Sequence, residues 1–301
     1  MSARNVILFG EAGVGKSSVV NMLLGEQRAQ TSTSARGCTF ESVPYDVDLG
    51  EGVSVRVYDT AGLDESSAGA VIPENAVANL YDLLRRMKDG ISLLVFVTRL
   101  GRITKRNQKN YRLFFEGVCQ SRVPIVLVVT HGENACDDDA DADDIGEGMD
   151  RWWDDNNQHF QSNGMTFHGH AVIVAKKCYQ KEYEKSREKV RYLVRSTHLP
   201  NPWKMDELEW FLASIKYIFS LFKGWTKSHI QMLRQTLSTD GRMVESDTKI
   251  VVDEIVAEMD PPAACTSNPI TPVRNRLDPQ YTNLSEFFPS INKQFTHLFK
   301  D

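Results

Sequence analysis

Long apolar runs, paired cysteines and a strong charge of either sign are all missing from this sequence, and each absence removes a class of function. The most apolar long stretch, Trp203 to Trp225, is interrupted by Glu207, Glu209, Lys216 and Lys223, which leaves it too polar and too short to span a bilayer. The five cysteines, Cys38, Cys119, Cys136, Cys178 and Cys265, are scattered, with neither CxxC pairs nor zinc-site spacing. That pattern favours a reducing cytoplasmic setting over secretion. A net charge of −5 argues against general polyanion binding, so nucleic acid is not an expected partner. The opening residues MSARNVILFG are apolar only from Val6 to Phe9, which reads as a first strand and not a signal peptide. Neither a glycine at position 2 nor a C-terminal CaaX box offers a lipid anchor. With 301 residues, 41% hydrophobic and 25% charged, the chain fits one catalytic domain plus a sizeable extension.

What is present is a rhythm. Short β-branched runs at Val6–Phe9, Val53–Asp59, Ser92–Val97, Pro124–Thr130 and Ala171–Ala175 alternate with helical patterns, as in a parallel α/β sheet. The looser alternation from Thr39 to Leu49 joins Val53–Asp59 through Gly50-Glu51-Gly52, which predicts a hairpin and one antiparallel edge strand. Six strands are expected, mostly parallel. Six aspartates in the eight residues Asp137–Asp144 read as a solvated loop, since the run has neither the glycine turn nor the downstream glutamate of an EF-hand. Leu208, Phe211, Leu212, Ile215, Ile218, Phe219 and Phe222 share one side of a helix, expected to dock on the domain, with an interfacial or partner-binding helix as the less favoured reading. A helical patch follows at Thr248–Met259, then a proline-rich linker near 261–279. The expected division is a nucleotide domain over 1–197 and a helical extension over 198–301.

The segment GEAGVGKS, Gly10–Ser17, fits GxxxxGK[ST] and lies between a strand and a helix, where a P-loop belongs. Curling of the backbone at its glycines aims successive N–H groups at phosphate oxygens, and the following helix adds its positive end. The candidate phosphate-binding residues are therefore Gly10, Glu11, Ala12, Gly13, Val14, Gly15, Lys16, Ser17 and Ser18. Lys16 is expected to reach the β and γ phosphates, and Ser17 to ligate Mg²⁺. Asp59, opening DTAG at the end of a core strand, fits a Walker B carboxylate that holds the metal through water, and Gly62 can sense the γ phosphate. Base choice rests on Thr130, His131 and Glu133 in VVTHGE and on Ala175 and Lys176 in VAKK, each pair of segments closing a strand. Glu133 can accept both N1–H and N2–H₂ of guanine, a contact adenine does not offer. His168 and His170 lie close by without a ligand set, and read as strand-edge histidines.

On these motifs the sequence resembles the septin-related branch of Ras-like P-loop GTPases, comprising the immunity-associated GTPases and the chloroplast-import receptor GTPases, from Asn5 to about Val194. The P-loop and Thr130-His131 look like the import receptors. LGRIT, Leu100–Thr104, looks like the immunity-associated group, and RGCTFES, Arg36–Ser42, resembles fungal GTPase-like proteins. The resemblance implies a Ras-like fold, GTP or GDP with Mg²⁺, and Thr39 as the switch threonine meeting the metal, with Thr33 and Thr31 as alternatives. It also implies slow intrinsic hydrolysis, because Leu63 stands where Ras-like enzymes keep a water-orienting glutamine. Homodimerisation across the nucleotide face is implied as the compensation, with a protein effector as a further partner. The LGR arginine of the dimerising group acts on the partner's nucleotide, which makes Arg102 the catalytic candidate beside Lys16 and Thr39. The bland alternative is a solvated face, since Arg99, Arg102, Lys105, Arg106, Lys109 and Arg112 form an all-positive run.

Overall fold

The structure, a computed structural model, describes residues 4–29, 43–60, 74–135, 145–221, 226–239 and 243–259. Six strands form one sheet: β1 (Asn5–Phe9), β2 (Val43–Asp48), β3 (Ser54–Asp59), β4 (Leu93–Arg99), β5 (Ile125–Thr130) and β6 (Gly169–Val172). Their order is β2-β3-β1-β4-β5-β6, and every neighbouring pair is parallel except β2 with β3. This is the six-stranded, mostly parallel α/β sheet of a Ras-like P-loop NTPase, with its antiparallel edge strand. The hairpin before β3 turns at Gly50-Glu51-Gly52, all three at positive φ, and closes through Leu49 N–H to Val53 O at 2.9 Å. The sixth strand departs from expectation. It pairs over Gly169–Val172, with Ile173 N–H making the last bond to Val129 O at 2.8 Å, and beyond it Val174 N–H is taken by Ser186 Oγ at 3.0 Å.

Central strands buried on both faces need continuous apolar sequence, and their period of two then divides the core. Ile7, Phe9, Leu94, Phe96, Ile125, Leu127 and Val129 face one side, while Val6, Leu8, Leu93, Val95, Val97, Val126 and Val128 face the other. The second side is thinner and aliphatic, covered by α1 (Lys16–Leu24) and α5 (Gln180–Thr197). The first side is deeper and aromatic. It carries α2 (Glu74–Arg86), α3 (Lys105–Tyr111, running on as a π-helical stretch Arg112–Val118) and α4 (Ile145–Ser162).

Beyond α5 the chain adds α6 (Glu207–Leu221), α7 (Lys227–Ser238) and α8 (Glu245–Met259), all on the aromatic side. The path out of α5 is stitched to the foot of β4: Leu199 N–H bonds Ser92 O, and Ile91 and Trp203 exchange backbone bonds at 2.7 and 2.9 Å. Trp210 is buried and donates Nε1–H to Val118 O at 2.6 Å, so its polar edge is satisfied inside the core. Of the apolar stripe read from the sequence, Phe211, Ile215 and Ile218 are buried and Leu208, Leu212 and Phe219 partly so, Trp210 joins them, and Phe222 lies outside the described residues. Residues 198–259 thus share the core of the sheet, and the compact unit runs from Met1 to Met259. Residues 260–301 form a second unit outside the described residues. Among the described residues, no helix is long and apolar enough to cross a membrane.

Candidate functional site

The parallel strands β1, β3, β4 and β5 all deliver their C-terminal ends to one rim, where ligand sites of open α/β sheets are built. The loop Gly10–Gly15 leaves β1 there and opens α1. Gly10, at φ 148°, lies so near β4 that a Cβ would stand 2.0 Å from Val97 O, so only glycine lets the loop leave the strand. Gly15, at φ 97°, precedes Lys16, and its own Cβ would press on the Thr130 methyl at 3.2 Å. Lys16 is buried, and its Nζ donates to Gly10 O and Glu11 O, both at 2.9 Å. The ammonium therefore sits folded over its own loop.

At the end of β3 the Asp59 carboxylate accepts from Ser17 Oγ at 2.8 Å. Burial pushes the Asp59 carboxyl above its ordinary range, opposed by the Ser17 bond and by the charge of Lys16. Thr60 fixes the strand end, donating its hydroxyl to Leu8 O at 2.7 Å. A hydroxyl and a carboxylate oxygen in contact are a hard donor pair suited to Mg²⁺. Thr39 and Gly62, as well as Leu63, lie outside the described residues, as does the aspartate run Asp137–Asp144.

The second half of the site joins the ends of β5 and β6. Gly132 N–H bonds Ile173 O at 2.8 Å, and a Cβ on Gly132 would stand 2.9 Å from that same oxygen, so the β5 loop lies hard against the β6 extension, with Met149 of α4 closing in from the side. This places Glu133 Oε1 3.1 Å from Lys176 Nζ. The Glu133 side chain is only 3% exposed, and its Oε2 has no hydrogen-bond partner. A buried carboxylate oxygen with an unused lone pair is costly unless a donor reaches it. Ala175 flanks the pair, half-buried. The partner carboxylate raises the Lys176 ammonium above its usual value. His131 adopts the left-handed region at φ 62° and is held below the ordinary imidazole range by burial, then by Arg99 and Lys176.

Two of the expected ligand residues also fasten the loop through their side chains. Thr130 is fully buried and donates to Val14 O at 2.6 Å, with Thr98 O at 3.3 Å, so its hydroxyl pins the P-loop to β4 and β5. The Glu11 side chain turns away from the loop's concavity: its Oε1 accepts from Thr104 Oγ1 at 2.6 Å and Asn107 Nδ2 at 2.9 Å. Thr104 and Asn107 were not singled out, although their spacing of three before a helix is a capping-box signal. Arg102 is exposed between these anchors and makes no hydrogen bond or ion pair among the described residues. His168 and His170 behave as structural histidines. Ile125 N–H donates to His168 Nδ1 at 3.2 Å, and His170 stacks on Trp153 with ring centroids 3.7 Å apart. Among the described residues no cluster of three His, Cys, Asp or Glu could hold a metal.

The chain is similar to immune-associated nucleotide-binding protein 10 of Arabidopsis thaliana, 28% identical over 145 residues, covering 47% of this chain and 30% of that protein. It is also similar to the tRNA modification GTPase MnmE of Aromatoleum aromaticum, 42% identical over 66 residues, covering 22% and 14%. The chain thus spans under a third of the length of each of these relatives. Among solved structures it is similar to Toc33 of Arabidopsis thaliana in complex with GDP and Mg²⁺, at 18% identity and TM-score 0.39 over 64% of this chain and 84% of that one. The model of the AIG1 family matches residues 4–194, which takes in the P-loop, Asp59, Arg102, Glu133 and Lys176, and the chain belongs to that family.

Proposed function

We propose that this protein binds a guanine nucleotide with Mg²⁺ and hydrolyses GTP to GDP slowly by itself, faster as a homodimer joined through the nucleotide face. The observation that carries the base assignment is the unpartnered Oε2 of Glu133 beside the ion pair to Lys176. Guanine offers two adjacent donors to such a carboxylate, N1–H and N2–H₂, where adenine has an acceptor at N1 and only a C–H at C2. The phosphate end follows from the loop Gly10–Ser18. Its N–H groups and the start of α1 receive phosphate oxygens, and Lys16 exchanges its two loop carbonyls for the β and γ phosphates. Mg²⁺, when bound, offsets phosphate charge, and Ser17 and Asp59 are the residues that hold it, with Thr39 as their proposed partner from the switch segment and Gly62 beside the γ phosphate. His131 is proposed to cover the base, and the Ala175 N–H to donate to its O6.

Leu63 has no polar group with which to orient water, so positive charge at the γ phosphate is the remaining route to rate. Arg102 supplies it in this reading, from a partner copy. A GTP-binding scaffold with negligible turnover is the second reading, and Leu63 is the observation in its favour. In both, residues 1–197 handle the nucleotide in a cytoplasmic protein, and 198–259 brace it or meet an effector. The deciding experiment identifies the nucleotide that co-purifies with the full chain and measures single-turnover hydrolysis at low and high protein concentration. GDP or GTP, with a rate per molecule that rises with concentration, is expected; ADP would overturn the guanine assignment, and a flat rate the dimer.

A further inference from the structure

The loop carrying Arg102 is short, and both of its feet stand on the P-loop. At one foot, Leu100 N–H bonds Thr130 O at 2.9 Å, and the Thr130 hydroxyl donates to Val14 O. At the other, the Thr104 hydroxyl donates to Glu11 Oε1 while accepting from Asn107 N–H at 2.9 Å. Asn107 closes the ring by giving its amide to the same Glu11 oxygen and accepting from Thr104 N–H at 2.9 Å. Every donor in this ring is matched, and Asn107 is buried, so the three side chains hold one arrangement. Between the feet only Gly101, at φ 146°, and the exposed Arg102 are free of such ties, with Ile103 resting against the core. The Glu11 carbonyl, with that of Gly10, also accepts from the Lys16 ammonium.

The geometry points to Glu11 as a positioning residue. Its carboxylate couples the phosphate loop to the loop 100–104, and so sets where Arg102 stands relative to the nucleotide face. The inference rests on the roles of the P-loop and Arg102 given above, and it assigns to Glu11 an effect on turnover that its place in a phosphate loop does not predict. A P-loop side chain at this position is otherwise free to vary, since the phosphate is held by backbone groups. Here the side chain connects the part of the site that binds to the part that acts.

The test compares Glu11→Ala, Glu11→Gln and Thr104→Val with the parent in the full chain, reading amide exchange over residues 100–107, GTP affinity and single-turnover hydrolysis. Glu11→Ala and Thr104→Val should raise exchange about tenfold at that loop, since the first loses both charge-assisted bonds to the carboxylate and the second loses one of them together with the cap on Asn107 N–H. Hydrolysis should fall about 10- to 100-fold, the scale of a misplaced catalytic group, with affinity within about threefold. Glu11→Gln keeps an accepting oxygen and should restore both readouts. On an Arg102→Ala background, Glu11→Ala should cost nothing further, because the two act as a unit. Unchanged exchange in Glu11→Ala overturns the coupling, and a full additional loss on the Arg102→Ala background overturns its route through the arginine. A parent that binds GTP without hydrolysing it would instead defeat the hydrolysis reading, while the exchange readout still decides whether Glu11 holds the loop.

Discussion

The two halves of the site are built in opposite ways. The phosphate side is one continuous segment, Gly10–Ser18, whose shape is dictated by glycine conformations and by the close pass of Gly10 against Val97 O. The base side is assembled from two segments some forty residues apart, brought together by the β5–β6 ladder and the Gly132–Ile173 bond. A contiguous cradle binds through backbone groups common to every phosphate, whereas an assembled pocket can place a single carboxylate for a single base. Affinity should therefore reside on one side and selectivity on the other.

Lys16→Ala breaks the comparison hardest. Losing the buried lysine of a polyanion site should abolish binding of GTP and GDP alike in a calorimetric titration. Retained affinity would mean that the cradle is not a phosphate site at all. Next in size is Arg102→Ala, which should leave GTP affinity nearly unchanged and lower concentration-dependent hydrolysis by roughly 10³-fold, the lower range for arginine fingers. Mixing it with Lys16→Ala protein, which lacks nucleotide but keeps the arginine, should restore turnover. Parent-like rates for Arg102→Ala at every concentration would remove the finger and direct attention to Arg36.

The same division explains what could be read without coordinates. The P-loop, Asp59 at its strand end and the antiparallel edge strand are local patterns, and the structure has each of them in the expected place. The docked face of α6 was legible because helical periodicity reports burial. Its partner surface was not, since the stitch of Trp203 to Ile91 and the seat of Trp210 on Val118 join positions far apart in sequence. For the same reason the second duty of Thr130 and Glu11 is invisible in their motif positions: their side chains reach Val14, Thr104 and Asn107, partners set by the fold. The end of β6 is likewise a tertiary matter, since Val174 N–H finds its partner in the Ser186 hydroxyl of α5.

Glu133→Ala sharpens the comparison on the base side. It should weaken GTP by about 1 to 3 kcal/mol, roughly 10- to 100-fold, while changing ATP far less, the worth of a bidentate contact to a base. Equal losses for both nucleotides would make Glu133 a prop for Lys176 and end its role in selection. Glu133→Gln is the useful companion, because it keeps the shape while converting half of the acceptor to a donor that opposes guanine.

The smallest effect concerns what supports the base side. Strand β6 is held by the stack of His170 on Trp153, and burial, aided by Lys189, lowers the His170 imidazole to about 4 from 6.5. The native state thus keeps this ring neutral in a range where the unfolded chain takes up a proton. Stability from the neutral ring is complete above about pH 6.5 and is lost as pH falls toward about 4, since protons then favour the unfolded state. At about pH 5.5 the cost should be about 1 kcal/mol, or about 2–4 °C in Tm for a unit of this size. His170→Phe preserves a ring to stack on Trp153 and removes the titration, so its Tm should fall less than the parent's between about pH 7.5 and about pH 5.5. His131, His168 and His198 are also held low and remain in both proteins, which makes the difference between the two curves specific to His170. Superimposable acid curves would show that the ring titrates alike in folded and unfolded chains, and would end its part in supporting the base side.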